Sequence, residues 1–399
     1  MRTTQCVFAR VFARSLCAAA ALLASVLAAS CDNDYALYQT VAKEPKLSGT
    51  TVFQETTCTN VFAFNGNYYA TTARLYSSVI HPYSTTSTSW SQVNVGGMSS
   101  YTLRSAVLVG STIYALTGDN SSSVALYSST DGSAWTSVTL PSYSGTLGSS
   151  QTFALDALYS AGGNLYAEAM LYGSANGAVG TPYYYLYYYT GSGWNVVSSF
   201  SSQPSTPIRG VVANSDTSPT TFWFASTGML YSGSSATGSD ASSVIGNFTS
   251  LSGKSIWAIS YTGGHFYVST TDGNLYQDSG SAEQVDSSSR PLMKVISVPY
   301  SSPSSIILVG TDTNNVNTAA CGYYEGTFGS LDLGSSSQDV ANSAVFATTV
   351  SAFPVLNFYY DSTNKNLFAC VAPGTTSTSY YGLYENTWSG SSWTGWDAQ

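Results

Sequence analysis

The sequence predicts an all-β protein, and within that class a β-propeller of seven four-stranded blades. Three observations carry this. Two short signatures recur along the chain: an apolar run, a Gly/Asn/Ser turn and an aliphatic–aromatic pair, and then Leu-Tyr, a polar turn and Trp. They return about seven times at a spacing of ~40–60 residues, a period typical of repeat architectures. Almost nothing after residue 31 reads as a helix, and the runs are broken by hairpin signals such as Asp-Gly. Short strands in fours at this period stack as propeller blades. The count is open by one, so six or eight blades remain alternatives.

The second unit is the clearest. Ala106–Leu116 (AVLVGSTIYAL) reads as strand, turn and strand, and Ala125–Leu140 adds two more strands around Asp131-Gly132. The first unit starts at Val61–Thr71, followed by Leu75 and a late Trp90. The third starts at Ala157–Leu171, followed by a tyrosine run and Trp194. The fourth holds IRGVVAN and Thr221–Ser234, and the fifth spans Ile256–Ser279. The sixth is fainter, Lys294–Thr311 and then GYYEG. The seventh joins Val355–Ala372 to Gly382–Trp393. The segment Tyr35–Thr40 looks like one more third strand, which would close the ring by completing the last blade.

The run Thr181–Trp194 (TPYYYLYYYTGSGW) aligns Leu186-Tyr187 with Leu126-Tyr127 and Leu383-Tyr384, and Trp194 with Trp135 and Trp393. It is therefore expected to be the third strand of blade three. A middle strand covered on both faces reads as a continuous apolar run. Tyrosine suits it, since the ring packs and the hydroxyl reaches an edge.

The chain opens with a basic segment, Arg2, Arg10 and Arg14, then the apolar Ser15–Ala29. That is the layout of a secretory signal, too short for a comfortable membrane span. It ends in Leu27-Ala28-Ala29-Ser30-Cys31 and resembles a bacterial lipoprotein lipobox, with Leu27 one place earlier than usual. The resemblance implies cleavage after residue 30, acylation of Cys31 and attachment to a membrane through the acyl chains. The expected organisation is a signal peptide (1–30), a lipidated tether (31–50) and the propeller (51–399).

Loss of residues 1–30 removes three arginines and no acid, so the formal charge moves from −9 to −12. No basic surface for nucleic acid remains. Charged residues are 8% of the chain and aromatics 14%, which excludes disorder. No cofactor is expected: the glycines fall in hairpins with no helix after them. No metal site is expected either, since there is no Cys-x-x-Cys, and His81 and His265 read as turn residues. Cys58, Cys321 and Cys370 are left after the signal and Cys31. An odd count in an oxidising compartment permits one bridge and one free thiol. The propeller topology brings these three towards one face in units one, six and seven, which are neighbours around a closed ring. A bridge using Cys370 is expected, with Cys321–Cys370 as the candidate pair.

Ser128–Trp135 (SSTDGSAW) resembles a shortened Asp-box, the hairpin of sialidase-type propellers, in which Asp and Ser bond the turn backbone and Trp plugs the space between strands. It implies a fold and not an activity. The sialidase arginine triad would have to come from Arg74, Arg104, Arg209 and Arg290, and Pro207-Ile208-Arg209-Gly210 has the family's Arg-Ile-Pro letters in the wrong order. Arg74 and Arg209 are instead expected to lie over aromatic edges. Asp156 and Glu168 are the acids of blade three that a glycosidase would need as a pair.

No catalytic residue is therefore assigned, and the chain is expected not to be an enzyme. Three long loops between second and third strands, Gly173–Pro182, Asp312–Cys321 and Ala372–Tyr380, share the face on which propellers usually bind. The Cys-rich, Ala-rich signal and the composition resemble spirochaetal, specifically treponemal, lipoproteins with propeller-like domains, some of which bind fibronectin. The expectation is a surface-exposed, lipid-anchored binder of a host or matrix protein or glycan. The alternatives are a periplasmic scaffold for outer-membrane protein assembly and a glycan-binding or sialidase-like glycosidase.

Overall fold

Tight turns set the course of each blade. Asn65 and Gly66 both take positive φ (46° and 75°), as do Gly162-Gly163 (57° and 69°) and Gly263-Gly264 (58° and 85°). Two consecutive residues of positive φ make a turn whose twist matches that of paired strands, and few residues other than Gly and Asn accept it. Each of these pairs links the first strand of a blade to its second.

The computed structural model describes residues 53, 56–81, 89–96, 102–118, 124–148, 151–173, 182–200, 205–245, 251, 253–278, 283–287, 292–299, 305–311, 323–326, 354–372, 381–390 and 393–399. They form seven antiparallel sheets in chain order, with strands within each sheet also in chain order. The blades span 60–93, 103–138, 152–196, 208–243, 256–287, 292–326 and 355–398. Six have four strands, and blade six has three among the described residues. First strands of successive blades pack side by side from one to seven, and blade one packs on blade seven. The molecule is a seven-bladed β-propeller.

Blade seven takes all four of its strands from the C-terminal stretch, its outer strand being Asp397–Ala398. The expected ring-closing segment Tyr35–Thr40 lies outside the described residues. Trp393 is not in that outer strand as its alignment with Trp194 suggested. It bridges to Trp388, the two rings lying tilted at 53° with centroids 5.4 Å apart, and the last strand begins only after Trp396.

The core is divided among the seams. Among the described residues there are seven buried apolar clusters, each shared by two neighbouring blades. Second strands are accordingly buried on both faces, as in Phe222–Ser226 and Asn366–Val371. The tyrosine run is Tyr183–Tyr189, the third strand of blade three as expected. Tyr185 and Tyr187 pack into the seam with blade two and Leu186 into the seam with blade four. Only Tyr183, at its end, is well exposed.

Blades six and seven approach closely. A methyl group on Gly310 would stand 2.2 Å from the carbonyl oxygen of Val355. That oxygen belongs to the backbone and cannot swing aside. Gly310→Ala is therefore expected to destabilise the fold by about 2 kcal/mol, within the usual cost of overpacking, seen as a lower urea midpoint with an unchanged slope.

The closing seam, between blades seven and one, is polar as well as apolar. Tyr68 donates to Asp361 Oδ2 at 2.7 Å, and Asn366 Nδ2 donates to the Tyr68 hydroxyl and to the His81 carbonyl. His81 Nε2 meets Glu385 Oε1 at 2.9 Å, both side chains being buried. His81 is thus not the turn residue that its place before a proline suggested.

Candidate ligand-binding face

The first strands share an irregularity. In blade two Leu103 pairs with Thr117 and Ser105 with Leu116, which leaves Arg104 over. Asp156 is left over in blade three, Arg209 in blade four, Trp257 in blade five and Leu356 in blade seven. In blade six Met293 and Lys294 both lie between the paired Leu292 and Val295. Thr59 holds the corresponding place in blade one, its N–H bonded to the Thr71 carbonyl just before the strand begins. A bulge leaves its extra residue unpaired and re-aims the side chain.

The local sequence explains why the bulge falls there. The residue before it is buried and so is the second residue after it, as in Leu103 and Ala106, Ile208 and Val211, Ile256 and Ile259, or Val355 and Phe358. Both must reach a core, which a regular strand at that spacing would prevent. One extra residue puts both inside and turns the odd one out. All the bulged side chains are at least partly exposed.

Register fixes their location. In blades two, four and seven the bulges sit at the starts of first strands, opposite the ends of second strands, from which the second-to-third loops leave; in blade three the paired strands run on past Asp156 to Thr152. They therefore share a face with those loops. Residues 174–181, 312–321 and 373–380 of the three long loops lie outside the described residues.

Several of the bulged side chains touch across neighbouring blades. Arg104 Nη1 donates to the Leu155 carbonyl at 3.0 Å and Nη2 pairs with the Asp156 carboxylate. The Arg209 guanidinium lies over the Trp257 ring, 4.3 Å from its centre, while its Nε donates to Thr227 Oγ1 at 2.9 Å. Trp257 Nε1 points at Met293 Sδ, 2.8 Å away. Arg209 thus lies against an aromatic as expected, but on its face, with the charged head making the contact. The resulting arc is charged over blades two to four (Arg104, Asp156, Arg209) and apolar over blades five to seven (Trp257, Met293, Leu356). Lys294 adds an exposed cation beside Met293. Desolvation of its ammonium by the surrounding protein lowers its pKa from the usual lysine value.

Behind the arc lies Glu168, on the second strand of blade three and 4% exposed. Burial pushes its carboxyl up to about 7, against hydrogen bonds from Tyr159 and the Ile208 amide. Tyr159 Oη donates to Oε2 at 2.8 Å and the Ile208 N–H donates to Oε1 at 3.1 Å. Both oxygens are thus engaged within the seam, while Asp156, the other acid of the expected glycosidase pair, is tied to Arg104.

The Asp-box-like turn has the expected geometry. Ser129 Oγ accepts from Gly132 N at 2.8 Å, and Asp131 Oδ1 accepts from the N–H groups of Ser133 and Ala134 at 2.7 and 2.8 Å. These backbone bonds hold the Asp131 carboxyl down at about 2. Trp135 packs on the seam between blades one and two. The role is structural.

Among the sequence-singled cysteines, Cys31 and Cys321 lie outside the described residues. Cys370 is buried, and its sulfur is 3.2 Å from that of Cys58. Among the described residues no three His, Cys, Asp or Glu side chains are grouped to hold a metal ion. No helix among them is long and apolar enough to cross a membrane.

No protein-family model matches the chain, and no curated protein does. Similarity is found among solved structures. Two structures of an extracellular domain assigned to a one-component or hybrid two-component system of B. thetaiotaomicron match with TM-scores of 0.50 and 0.51, at 11% and 12% identity, over 84% and 85% of this chain. The chain spans only 39% and 38% of those domains. An ancestral GH74 enzyme matches with a TM-score of 0.46 at 12% identity, over 85% of this chain and 51% of its own. The two extracellular-domain likenesses show the propeller fold.

Proposed function

We propose that the chain is a ligand-binding propeller of the bacterial cell envelope, anchored through acylated Cys31, which engages a macromolecule on the face of the bulge arc and does not turn it over. The observation that carries this reading is the arc itself. Blades two to seven place residues there that the strand ladder leaves unpaired and at least partly exposed, four charged (Arg104, Asp156, Arg209, Lys294) and three apolar (Trp257, Met293, Leu356). Interface anchors are enriched in Trp and Arg, and Arg209 on Trp257 supplies both in one rigid unit. A mixed charged and apolar arc suits a protein surface better than a bare sugar, so matrix proteins such as fibronectin are the first ligands to screen and glycans the second. Binding rather than hydrolysis is favoured because Glu168 spends both oxygens on its own seam and Asp156 is committed to Arg104. The signal layout and the lipobox-like end of residues 1–31 support export and anchorage.

The test is binding of the full chain to immobilised matrix proteins and glycans, with Arg209→Ala and Leu356→Asp as variants. Each is expected to weaken binding by about tenfold or more, as loss of an interface anchor does, with the thermal midpoint little changed. Equal binding by both variants would move the site off this face. Release of sugar from a glycan substrate would replace binding with catalysis. Anchorage is tested separately: Cys31→Ser should shift the protein from the membrane to the soluble envelope fraction.

A further inference from the structure

Cys58 and Cys370 stand 312 residues apart in the chain, and the fold brings their sulfurs to 3.2 Å. Cys58 immediately precedes Thr59, the blade-one member of the bulge series. Cys370 lies on the second strand of blade seven, opposite Asn357. Asn357 Nδ2 in turn donates to the Thr59 carbonyl and to Asn60 Oδ1, both at 3.1 Å. The two thiols therefore face each other across the one seam where the chain must close on itself. They also sit directly beneath the binding face.

Both are fully buried among Phe53, Tyr68, Phe368 and Leu383. No side chain separates them, and no metal-ligating group joins them among the described residues. Burial pushes the Cys370 thiol well above its usual range, so that thiol is unreactive once enclosed.

We infer that Cys58 and Cys370 form a disulfide that clasps blade seven to blade one and covalently closes the propeller. The inference rests on the exported location proposed above, because thiols stay reduced in the cytosol. The oxidant is a disulfide-bearing thiol oxidase of the envelope. One cysteine thiolate attacks the oxidant's disulfide and forms a mixed disulfide. The other thiolate then displaces the oxidant as a dithiol. Two S–H bonds are lost and one S–S bond forms, and the two electrons and two protons pass to the oxidant. Because both thiols are buried in the closed ring, the exchange happens while blade one is still undocked. The clasp thus records ring closure, and Cys321 is the thiol left over.

Tryptic mapping discriminates the pairings. Cys58 falls in the peptide 47–74, Cys321 in 295–365 and Cys370 in 366–399, each bounded by Lys, Arg or the C-terminus. Full-length protein taken from the envelope is denatured in the presence of an alkylating agent and digested without reductant. A peptide of known disulfide content from a co-purified envelope protein is the control for compartment. The expected result is a species joining 47–74 to 366–399 that reductant splits, with Cys321 alkylated. Alkylation of Cys58 and Cys370 while the control stays oxidised would overturn the clasp, as would a species joining 295–365 to 366–399. If the protein never reaches the envelope, location fails and chemistry is judged alone: the purified full chain is refolded with oxidised and reduced glutathione, where free Cys58 and Cys370 in the refolded product would overturn it. Cys321→Ser should keep the cross-link and Cys58→Ser should abolish it. Reductant should lower the unfolding midpoint of the wild type by several degrees and leave that of Cys58→Ser unchanged.

Discussion

Replacing Glu385 by alanine is expected to be among the most damaging single changes in the fold. Glu385 lies on the third strand of blade seven and is buried, and its carboxylate meets His81 of blade one at 2.9 Å. Removing one partner of a buried pair strands the other, at a typical cost of about 3 kcal/mol or more. His81 can escape part of this by releasing its proton, but its ring then stays enclosed beside an unfilled space. Glu385→Gln keeps the volume and one hydrogen bond to a neutral imidazole, so it should cost much less than Glu385→Ala. The pair also has a pH signature. The hydrogen bond to Glu385 raises the His81 pKa against the opposing effect of burial, with the Val79 carbonyl adding to it. A histidine raised above its unfolded value lends stability that is complete below that value and is lost as pH rises through the folded one. Urea midpoints should therefore fall as the pH rises above the unfolded value of 6.5 and through the raised folded one in the wild type, and Glu385→Gln should lose that step. Tyr68, Asp361 and Asn366 share the seam. Burial works to raise the Asp361 carboxyl, but hydrogen bonds from Asn364 and Tyr68 outweigh it and keep it ionised throughout this window. An unaltered step in Glu385→Gln would show that another group carries it.

The architecture was legible because it is written locally. The Asp131-Gly132 turn, the Leu-Tyr of the third strands and the run of tyrosines each state their environment within a few residues, and blade stacking repeats that statement seven times. The site was less legible. Asp156 and Glu168 were visible as acids, but not that one is an exposed bulge paired to Arg104 and the other is sealed into a seam. Arg209 was expected against an aromatic, without the partner being known, since Trp257 belongs to the next blade. The repeating cue was present as an aliphatic residue, a variable one, a small one and another apolar one: Leu103-Arg104-Ser105-Ala106, Leu155-Asp156-Ala157-Leu158, Ile208-Arg209-Gly210-Val211 and Ile256-Trp257-Ala258-Ile259. Two apolar residues three apart cannot face the same side of a regular strand, so this spacing is itself the mark of a bulge. Ring closure was the least legible feature. His81 with Glu385, Tyr68 with Asp361, and Cys58 with Cys370 join residues about 300 apart, and no local pattern encodes such a pairing.

The opposite sign is expected for Glu168. Its carboxyl is buried between blades three and four, and burial outweighs its two hydrogen bonds and the pull of Arg209, raising its pKa from 4.5 to about 7. Unfolding exposes the group to water, where it ionises more readily. The fold is thus favoured fully below pH 4.5 and loses that advantage as pH rises to about 7. At ~1.4 kcal/mol per pKa unit the loss is roughly 3 kcal/mol, complete above pH 7. Glutamine removes the ionisation without changing the shape. Its oxygen can take the Ile208 N–H now held by Oε1, and its amide can donate to the Tyr159 hydroxyl. That hydroxyl can turn its own proton to the Ile208 carbonyl, 3.3 Å away. No buried donor is stranded, so Glu168→Gln should stabilise the protein at pH 8 and change little at pH 4. This step lies at lower pH than the one assigned to His81, so the two variants should each delete a different part of one stability profile. An acid kept at such a cost behind the face proposed for binding can be tested for a use there. If that use is to hold the Tyr159–Ile208 seam in register under the Arg209–Trp257 pair, Glu168→Gln should bind ligand as well as the wild type at every pH. If the protonated acid instead contributes to binding, wild-type affinity should change near pH 7 and the variant should not follow. Destabilisation of Glu168→Gln at pH 8 would mean that the carboxylate is solvated in the seam, and the raised pKa would then be wrong.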